Sequence, residues 1–320
     1  MKESEVNVLN PAEAIEYQSL LFQSYRPYLS NCGRDNIIAV GAEDAGGIPC
    51  GLTLALTGMD QNGKLNEDWT LLSVFVKDTR RREGIGHSLW RRLGEELERR
   101  GCRRIRVQAV LRETALEAVE PYLSAMGFSA PERIAKIFTF SPDSMNRGKS
   151  PFVGGSLAGV FQPDERFRFL PFDELTEAHW KELEENEGGW YPLFVSPLIG
   201  KEQLNQKCTV FALDSENGRL AGWITGLNVN DNTRILYRAF FTREEYRDTP
   251  VGFFIFTQAI KNHLREFPDR GGLASIPTDN DRAMRFSTLF FRDSCDHISY
   301  EIESEYRFHS TSSETGDLLK

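Results

Sequence analysis

Apolar residues along this chain switch repeatedly between helical and strand spacing. Ile15, Leu20, Leu21 and Tyr25 predict a helix over 11–26. Runs at 36–41 and 50–57, parted by the Gly46-Gly47 turn, predict two strands, and 69–76 predicts a third. Leu89, Leu93 and Leu97 stand at i, i+4 and i+8 in an amphipathic run over 86–100 that stops at Gly101. A strand over 103–110, a helix over 114–126 and a strand over 134–140 follow. Strands that alternate with helices predict a mixed α/β sheet.

Residues 141–166 break this rhythm. Ser, Gly, Pro and Asn dominate, as in Gly154-Gly155-Ser156, so this stretch reads as a linker, packed in part through Phe152, Val160 and Phe161. The second half then repeats the first: strand 167–172, helix 176–186, strands 208–213 and 220–227 around the Asn217-Gly218 turn, strand 235–241 and helix 252–266. Arg247 follows Arg81 by 166 positions, as Gly252 follows Gly86 and Phe241 follows Phe75. A repeat this long predicts a duplicated domain. The expected division is a first domain over 1–140, a linker over 141–166, a second domain over 167–309 and a polar tail over 310–320.

The most informative stretch is Val74–Gly86. A β-branched and aromatic strand ends at Val76, a basic turn carries two glycines, and a helix starts near His87. Backbone N–H groups turned outward at the positive end of a helix suit an anion. The pattern is Arg81-x-x-Gly84-x-Gly86. It is neither the Gly-x-Gly-x-x-Gly of dinucleotide folds nor a nucleotide-triphosphate loop, which needs Gly-Lys-Ser/Thr.

Arg81-x-x-Gly84-x-Gly86, with strand before and helix after, resembles the signature of the GNAT acetyltransferase superfamily. The resemblance implies two tandem GNAT-like acyl-CoA N-acyltransferase domains, with acetyl-CoA as co-substrate and no metal. In the family the loop amides hold the pyrophosphate, which here points to Arg81, Arg82, Glu83, Gly84, Ile85, Gly86 and His87. Val74, Phe75 and Val76 fall on the strand end that bonds the pantetheine arm, and the N–H of Val74 or Phe75 faces the thioester oxygen. The family's next motif, Asn-x-x-Ala-x-x-x-Tyr-x-x-x-Gly-Phe, survives at its end as Gly127-Phe128. Leu123 takes its tyrosine position and Leu116 its asparagine position. Tyr122, one residue away, becomes the candidate general acid, re-aimed by Pro121. The second half keeps Asn280-x-x-Ala283 but has Ser287 in the tyrosine position and Phe291-Arg292 for Gly-Phe.

The two loops differ in charge. Residues 77–86 carry Lys77, Arg80, Arg81 and Arg82 against Asp78 and Glu83. Residues 243–252 carry Arg243 and Arg247 against Glu244, Glu245 and Asp248. A pyrophosphate prefers the first loop. Pro250, where Gly84 has its counterpart, removes one donor from the second. Acetyl-CoA is therefore expected on the N-terminal half. Glu67 and Asp68 open the strand, and by alternation only one of them points into the cleft. Glu67, sharing a face with Trp69, Leu71 and Ser73, is the candidate base.

Composition narrows the rest. A formal net charge of −9 argues against generic nucleic-acid binding. Five scattered cysteines suggest a reducing, cytoplasmic compartment rather than a disulfide framework. No Cys-x-x-Cys or His-x-x-x-His offers metal-ligand spacing, and no apolar run approaches the ~18 residues that span a membrane. The expected acceptor is a small-molecule or peptide amine. Two other readings stay open: an acetyl-CoA-binding scaffold without catalysis, and catalysis by the second half through Asn280.

Overall fold

The computed structural model describes residues 5–59, 64–146, 165–292 and 294–308. It divides into two compact units.

The first unit opens with β1 (Glu5–Val8), α1 (Pro11–Ala14) and α2 (Arg26–Leu29). It continues with β2 (Ile37–Glu43), β3 (Pro49–Met59), β4 (Leu65–Val76), α3 (Ile85–Arg99), β5 (Arg104–Arg112) and α4 (Glu113–Ala125). Strands β1 to β4 pair antiparallel in sequence order, and β5 lies parallel to β4. Both faces of β2 are covered, so its residues are apolar almost without alternation. Ile38, Val40 and Ala42 meet Leu89, Leu93 and Leu97 of α3, while Ile37 and Ala39 meet the segment 9–32. The three leucines are fully buried, each worth about 1.5–3 kcal/mol relative to exposure.

Segment 11–26 is not the single helix its apolar spacing suggests. A capping box of Asn10 and Glu13 starts α1, and a 3₁₀ turn takes over at Ile15–Leu20. The buried residues Ala14, Tyr17 and Leu20 recur every third position, the period of a 3₁₀ helix. Ile15, expected on the buried face, is half exposed.

The second unit contains β6 (Glu132–Phe140), α5 (Pro142–Asn146), β7 (Phe167–Pro171), α6 (Glu177–Glu185), β8 (Val210–Asp214), β9 (Leu220–Val229) and β10 (Arg234–Thr242). After these come α7 (Val251–Glu266), β11 (Gly271–Pro277) and α8 (Asp281–Phe291). Its sheet order is β6-β11-β10-β9-β8-β7, with β10 and β11 parallel and the other neighbours antiparallel. Helix α7 covers one face, and the aromatic cluster of Tyr191, Phe211, Trp223 and Phe241 fills the other.

The last strand, β12 (His297–Arg307), brings the chain back to the first unit from Glu301 onward. Phe308 N–H donates to Arg103 O and Ser129 N–H to Glu305 O, which sets this end of β12 beside β5. The units are thus residues up to Arg133 with those from Glu301, and residues 134–300, rather than the contiguous stretches 1–140 and 167–309. Strand β6 leaves the first unit because its backbone pairs with β11 from Ala135 to Phe140. Phe152, Val160, Phe161 and the tail 310–320 lie outside the described residues.

Duplication is visible in irregularities as well as in elements. Leu72 is an extra residue in β4 opposite the Leu54/Ala55 step, and Arg238 is an extra residue in β10 opposite Thr225/Gly226. These bulges again stand 166 positions apart. Parallel pairing stops at Leu71–Val107 in one unit and at Tyr237–Ala274 in the other.

Candidate functional site

Strand β4 runs five residues past Leu71, its last partner on β5, while β3 stays paired with it as far as Val76. Its far edge over Ser73–Val76 is therefore open toward β5. The bulge at Leu72 shifts the alternation, so that Val74 and Val76 join Trp69 and Leu71 on the α3 side while Leu72 and Phe75 face the other. Ser73 consequently does not continue the Glu67–Trp69–Leu71 face as strict alternation predicts.

Beyond Val76 the chain makes a short 3₁₀ turn over Asp78–Arg80 and enters α3 through two left-handed residues, Arg82 (φ 66°) and Gly84 (φ 81°). Left-handed conformation in a side-chain-bearing residue costs about 1–2 kcal/mol, and such strain concentrates at binding sites. The amides of Arg82, Glu83, Gly84, Ile85, Gly86 and His87 donate to no group among the described residues. They lie in succession at a helix N-terminus, a position suited to an anion. A Cβ on Gly84 would meet nothing within 4 Å, so this surface is open.

The loop side chains divide their work. Arg81 Nε donates to Val76 O at 3.2 Å and its guanidinium pairs with Asp78 at 2.7 Å, tying strand end to loop. Glu83 pairs with Arg80 at 2.9 Å. Lys77 and Arg82 have no ion pair among the described residues, so the spare positive charge rests on them. His87 is exposed in the first turn of α3, and Ile85 anchors that turn in the core.

Tyr122 comes to this loop from α4. Its hydroxyl lies 3.5 Å from Gly86 O, and a Cβ on Gly86 would stand 3.0 Å from that hydroxyl. Glycine at 86 is what lets the phenol approach. Burial pushes Tyr122 up to about 12, so it keeps its proton at neutral pH. Leu116 and Leu123 are core residues. The structure therefore brings Val74, Val76, Ile85 and Tyr122 into one cluster at the loop 81–87, with the Phe75 side chain on the other face of the strand.

Glu67 stands apart. It lies near the start of β4, inside the irregular step between Leu65 and Trp69, half exposed and in an ion pair with Arg103 at 3.0 Å. About seven residues of extended strand, on the order of 20 Å, separate it from Val74. Asp68 points to the opposite face, where Arg104 grips it through a paired fork and Arg106 reaches it at 3.2 Å. The Arg104 hydrogen bond holds Asp68 below its ordinary range. On that same face, Gln108 Nε2 donates to Glu303 Oε2 at 3.0 Å. Glu303 escaped the sequence reading because it is 195 residues from Gln108, on a strand that rejoins the unit only in three dimensions.

The repeat of this site is filled. Pro250 caps α7 at φ −76°, and no residue from 243 to 252 has positive φ. Phe240, the counterpart of Val74, lies over Gly252, where a Cβ would come within 3.3 Å of its ring. Arg238 at the bulge donates to Ser196 O and Ile199 O at 3.2 and 3.0 Å. Arg243 stacks on Trp190 at 3.7 Å and bonds Glu182 at 3.0 Å. Asn280 accepts from Ala283 N–H as the N-cap of α8, which gives its motif a structural role. A cavity of about 30 Å³ in this unit, lined by Phe140, Met145, Tyr237, Phe256 and Phe291, is apolar. The Ser144 and Ser294 hydroxyls at its wall already donate to protein oxygens.

Among the described residues there is no His/Cys/Asp/Glu group placed to hold a metal. No helix is long and apolar enough to cross a membrane.

Residues 9–128 match the model of the Acetyltransferase (GNAT) family. No curated protein matches the chain by sequence. Among solved structures, a tandem GNAT protein from the clavulanic acid biosynthesis pathway is 13% identical with a TM-score of 0.60, over 95% of this chain and 98% of its own. A GCN5-related N-acetyltransferase from Sphaerobacter thermophilus is 14% identical with a TM-score of 0.55, over 96% and 97%. A glucosamine N-acetyltransferase region of a fungal multi-domain β-N-acetylglucosaminidase is 13% identical with a TM-score of 0.53, over 94% of this chain and 38% of that one. At these identities the likeness is one of fold.

Proposed function

We propose that this chain, which carries a GNAT-family domain over residues 9–128 and the tandem GNAT fold over nearly its whole length, is an acetyl-CoA-dependent N-acyltransferase with one working site, in its first unit. The observation that carries this reading is the row of partnerless amides from Arg82 to His87, set beside the open edge of β4. Pyrophosphate fits that row, with Lys77 and Arg82 supplying charge. The exposed backbone of Ser73–Val76 suits the amides of a pantetheine arm by strand-like pairing, and the N–H of Val74 or Phe75 polarises the thioester carbonyl.

Acetyl-CoA supplies the activated acyl group. The chain's own residues position it, keep Tyr122 protonated for the departing thiolate, and leave the face opposite α3 for the amine. Holding both reactants in one geometry supplies much of the rate. The acceptor is a small-molecule or peptide amine, and the dispersed cysteines fit a cytoplasmic enzyme. The rival reading, a binding protein without transfer, draws on the distance of Glu67 from the open edge. Calorimetry with acetyl-CoA, followed by release of free CoA thiol across a panel of amino acids, polyamines, arylalkylamines and amino sugars, separates the two. Binding with thiol release supports the transferase, and binding with none supports the rival.

A further inference from the structure

We propose that Glu303 is the general base that takes the proton from the acceptor ammonium, an inference that rests on the transferase reading above. An amine must lose a proton before it can attack, so a carboxylate must face the acceptor. Glu67 is paired with Arg103, and Asp68 is gripped by two arginines. On the face away from α3, β12 presents Glu301, Glu303 and Glu305, because Ile302 and Ser304 point into the core. Glu305 is held by Arg104 at 3.4 Å and Arg307 at 2.7 Å. Among the described residues, Glu303 is held only by the neutral amide of Gln108.

The position of that bond gives it meaning. Val107 is the last β5 residue paired with β4, so Gln108 is the first residue after the two strands part. Glu303, across β5 from the cleft, flanks the point where the thioester edge opens. Gln108 fixes one carboxylate oxygen and leaves the other for a proton. Arg106 sits at the same vertex, paired along the strand with Thr70, and its Nε is buried without a partner. The charged groups on the strands flanking Glu303 within this unit are Arg104, Arg106 and Arg112 on β5, Glu301, Glu305 and Arg307 on its own strand, and Glu132 and Arg133 at the start of β6.

The proton count closes. Glu303 takes one proton from R–NH₃⁺. The amine nitrogen forms the new C–N bond as the C–S bond breaks. Tyr122 gives its proton to the sulfur and regains one from the acylated nitrogen. Glu303 returns its proton to water, so one acetamide, one CoA thiol and one proton are released.

The test uses Glu303→Gln, which keeps an oxygen for Gln108 to donate to, with Glu303→Asp as a partial rescue and Glu301→Gln as the neighbour control. The probe is the amine from the panel that gives fastest CoA release, and kcat/KM is followed from pH 5.5 to 9.5. Loss of a general base costs about 10²–10⁴-fold. Expected for Glu303→Gln is a fall of at least 100-fold at pH 7 and a rate that climbs tenfold per pH unit, since only solution-deprotonated amine reacts. The wild type should instead level off near neutrality. Acetyl-CoA affinity by calorimetry should be unchanged in all three variants. A wild-type profile in Glu303→Gln, or a larger loss in Glu301→Gln, overturns the assignment while the transferase stands. No thiol release by the wild type overturns the transferase reading and this base with it.

Discussion

Replacing Gly84 with proline sets the anion loop against its own repeat. Gly84 caps α3 at φ 81°, whereas its counterpart Pro250 caps α7 at φ −76°. Proline holds φ near −65° and has no N–H. Gly84→Pro thus deletes one free amide of the array and swings its neighbours away from a shared anion. A hydrogen bond to a charged group is worth about 1.5–3 kcal/mol, and 1.4 kcal/mol is a tenfold change in affinity. Losing one such bond weakens acetyl-CoA about ten- to hundredfold, and loss of the loop's curvature takes the effect further. Gly84→Ala separates conformation from donors. A Cβ at this position meets nothing within 4 Å, so its cost is the left-handed backbone alone, about 1–2 kcal/mol. That cost should appear as a lower melting temperature with affinity kept within about tenfold. Calorimetry with acetyl-CoA, with a thermal melt of each variant, reads both quantities. If Gly84→Pro is folded and binds as tightly as wild type, the loop does not hold the pyrophosphate and the assignment of the site to the first unit fails.

Other outcomes follow from single contacts. Tyr122→Phe keeps the ring against Gly86 and loses the acid, so kcat should fall about 100-fold with acetyl-CoA affinity unchanged; an unaltered kcat would remove Tyr122 from the chemistry. Glu96, buried near the end of α3 and hydrogen-bonded by Arg99 and Arg100, is lowered to about 2 from an ordinary 4.5. Its contribution is therefore complete above about pH 4.5 and fades as pH falls toward 2, with an upper bound of about 3 kcal/mol. Urea titrations should show Glu96→Gln less stable than wild type by a constant margin from pH 8 to 5.5 that narrows below pH 4.5; a margin independent of pH would contradict the charge argument. Gly41→Ala places a Cβ 2.5 Å from the Tyr17 ring, which is buried and bonded to Glu43 at 3.0 Å. Overpacking should cost about 1–3 kcal/mol, read as a lower urea midpoint.

What was legible in the sequence was local or periodic. Arg81-x-x-Gly84-x-Gly86 marked the turn into α3 because its geometry depends on consecutive residues, and the 166-residue offset marked the duplication because it survives in strand and bulge alike. The apolar face of α3 was readable since Leu89, Leu93 and Leu97 need only one helix to define them. The ion pair of Glu67 was not legible, because alternation gives the face of a strand but not its partner, and Arg103 lies just ahead of β5. Glu303 and the return of 301–307 to the first unit depend on which β edge each strand meets, which no local pattern encodes. The 3₁₀ segment at 15–20 was missed because Leu20 and Leu21 satisfy a 3.6-residue period as well as a 3.0-residue one.

Three pairs of equivalent residues account for why only one copy should hold acetyl-CoA. Leu72 against Arg238 packs one bulge on the apolar core and ties the other by hydrogen bonds to the 196–199 turn. Val74 against Phe240 leaves one strand end uncovered and lays a ring on Gly252 in the other. Gly84 against Pro250 curves one loop and straightens the other. Two of these changes add an internal contact in the second copy, and the third removes a left-handed residue and an N–H donor. The three act at different parts of one ligand path, so they should not be reversible singly. Pro250→Gly alone should leave acetyl-CoA stoichiometry at one per chain, because Phe240 still covers Gly252 and Arg238 still closes the bulge. A second calorimetric site in that single variant would show that the proline by itself had silenced the repeat.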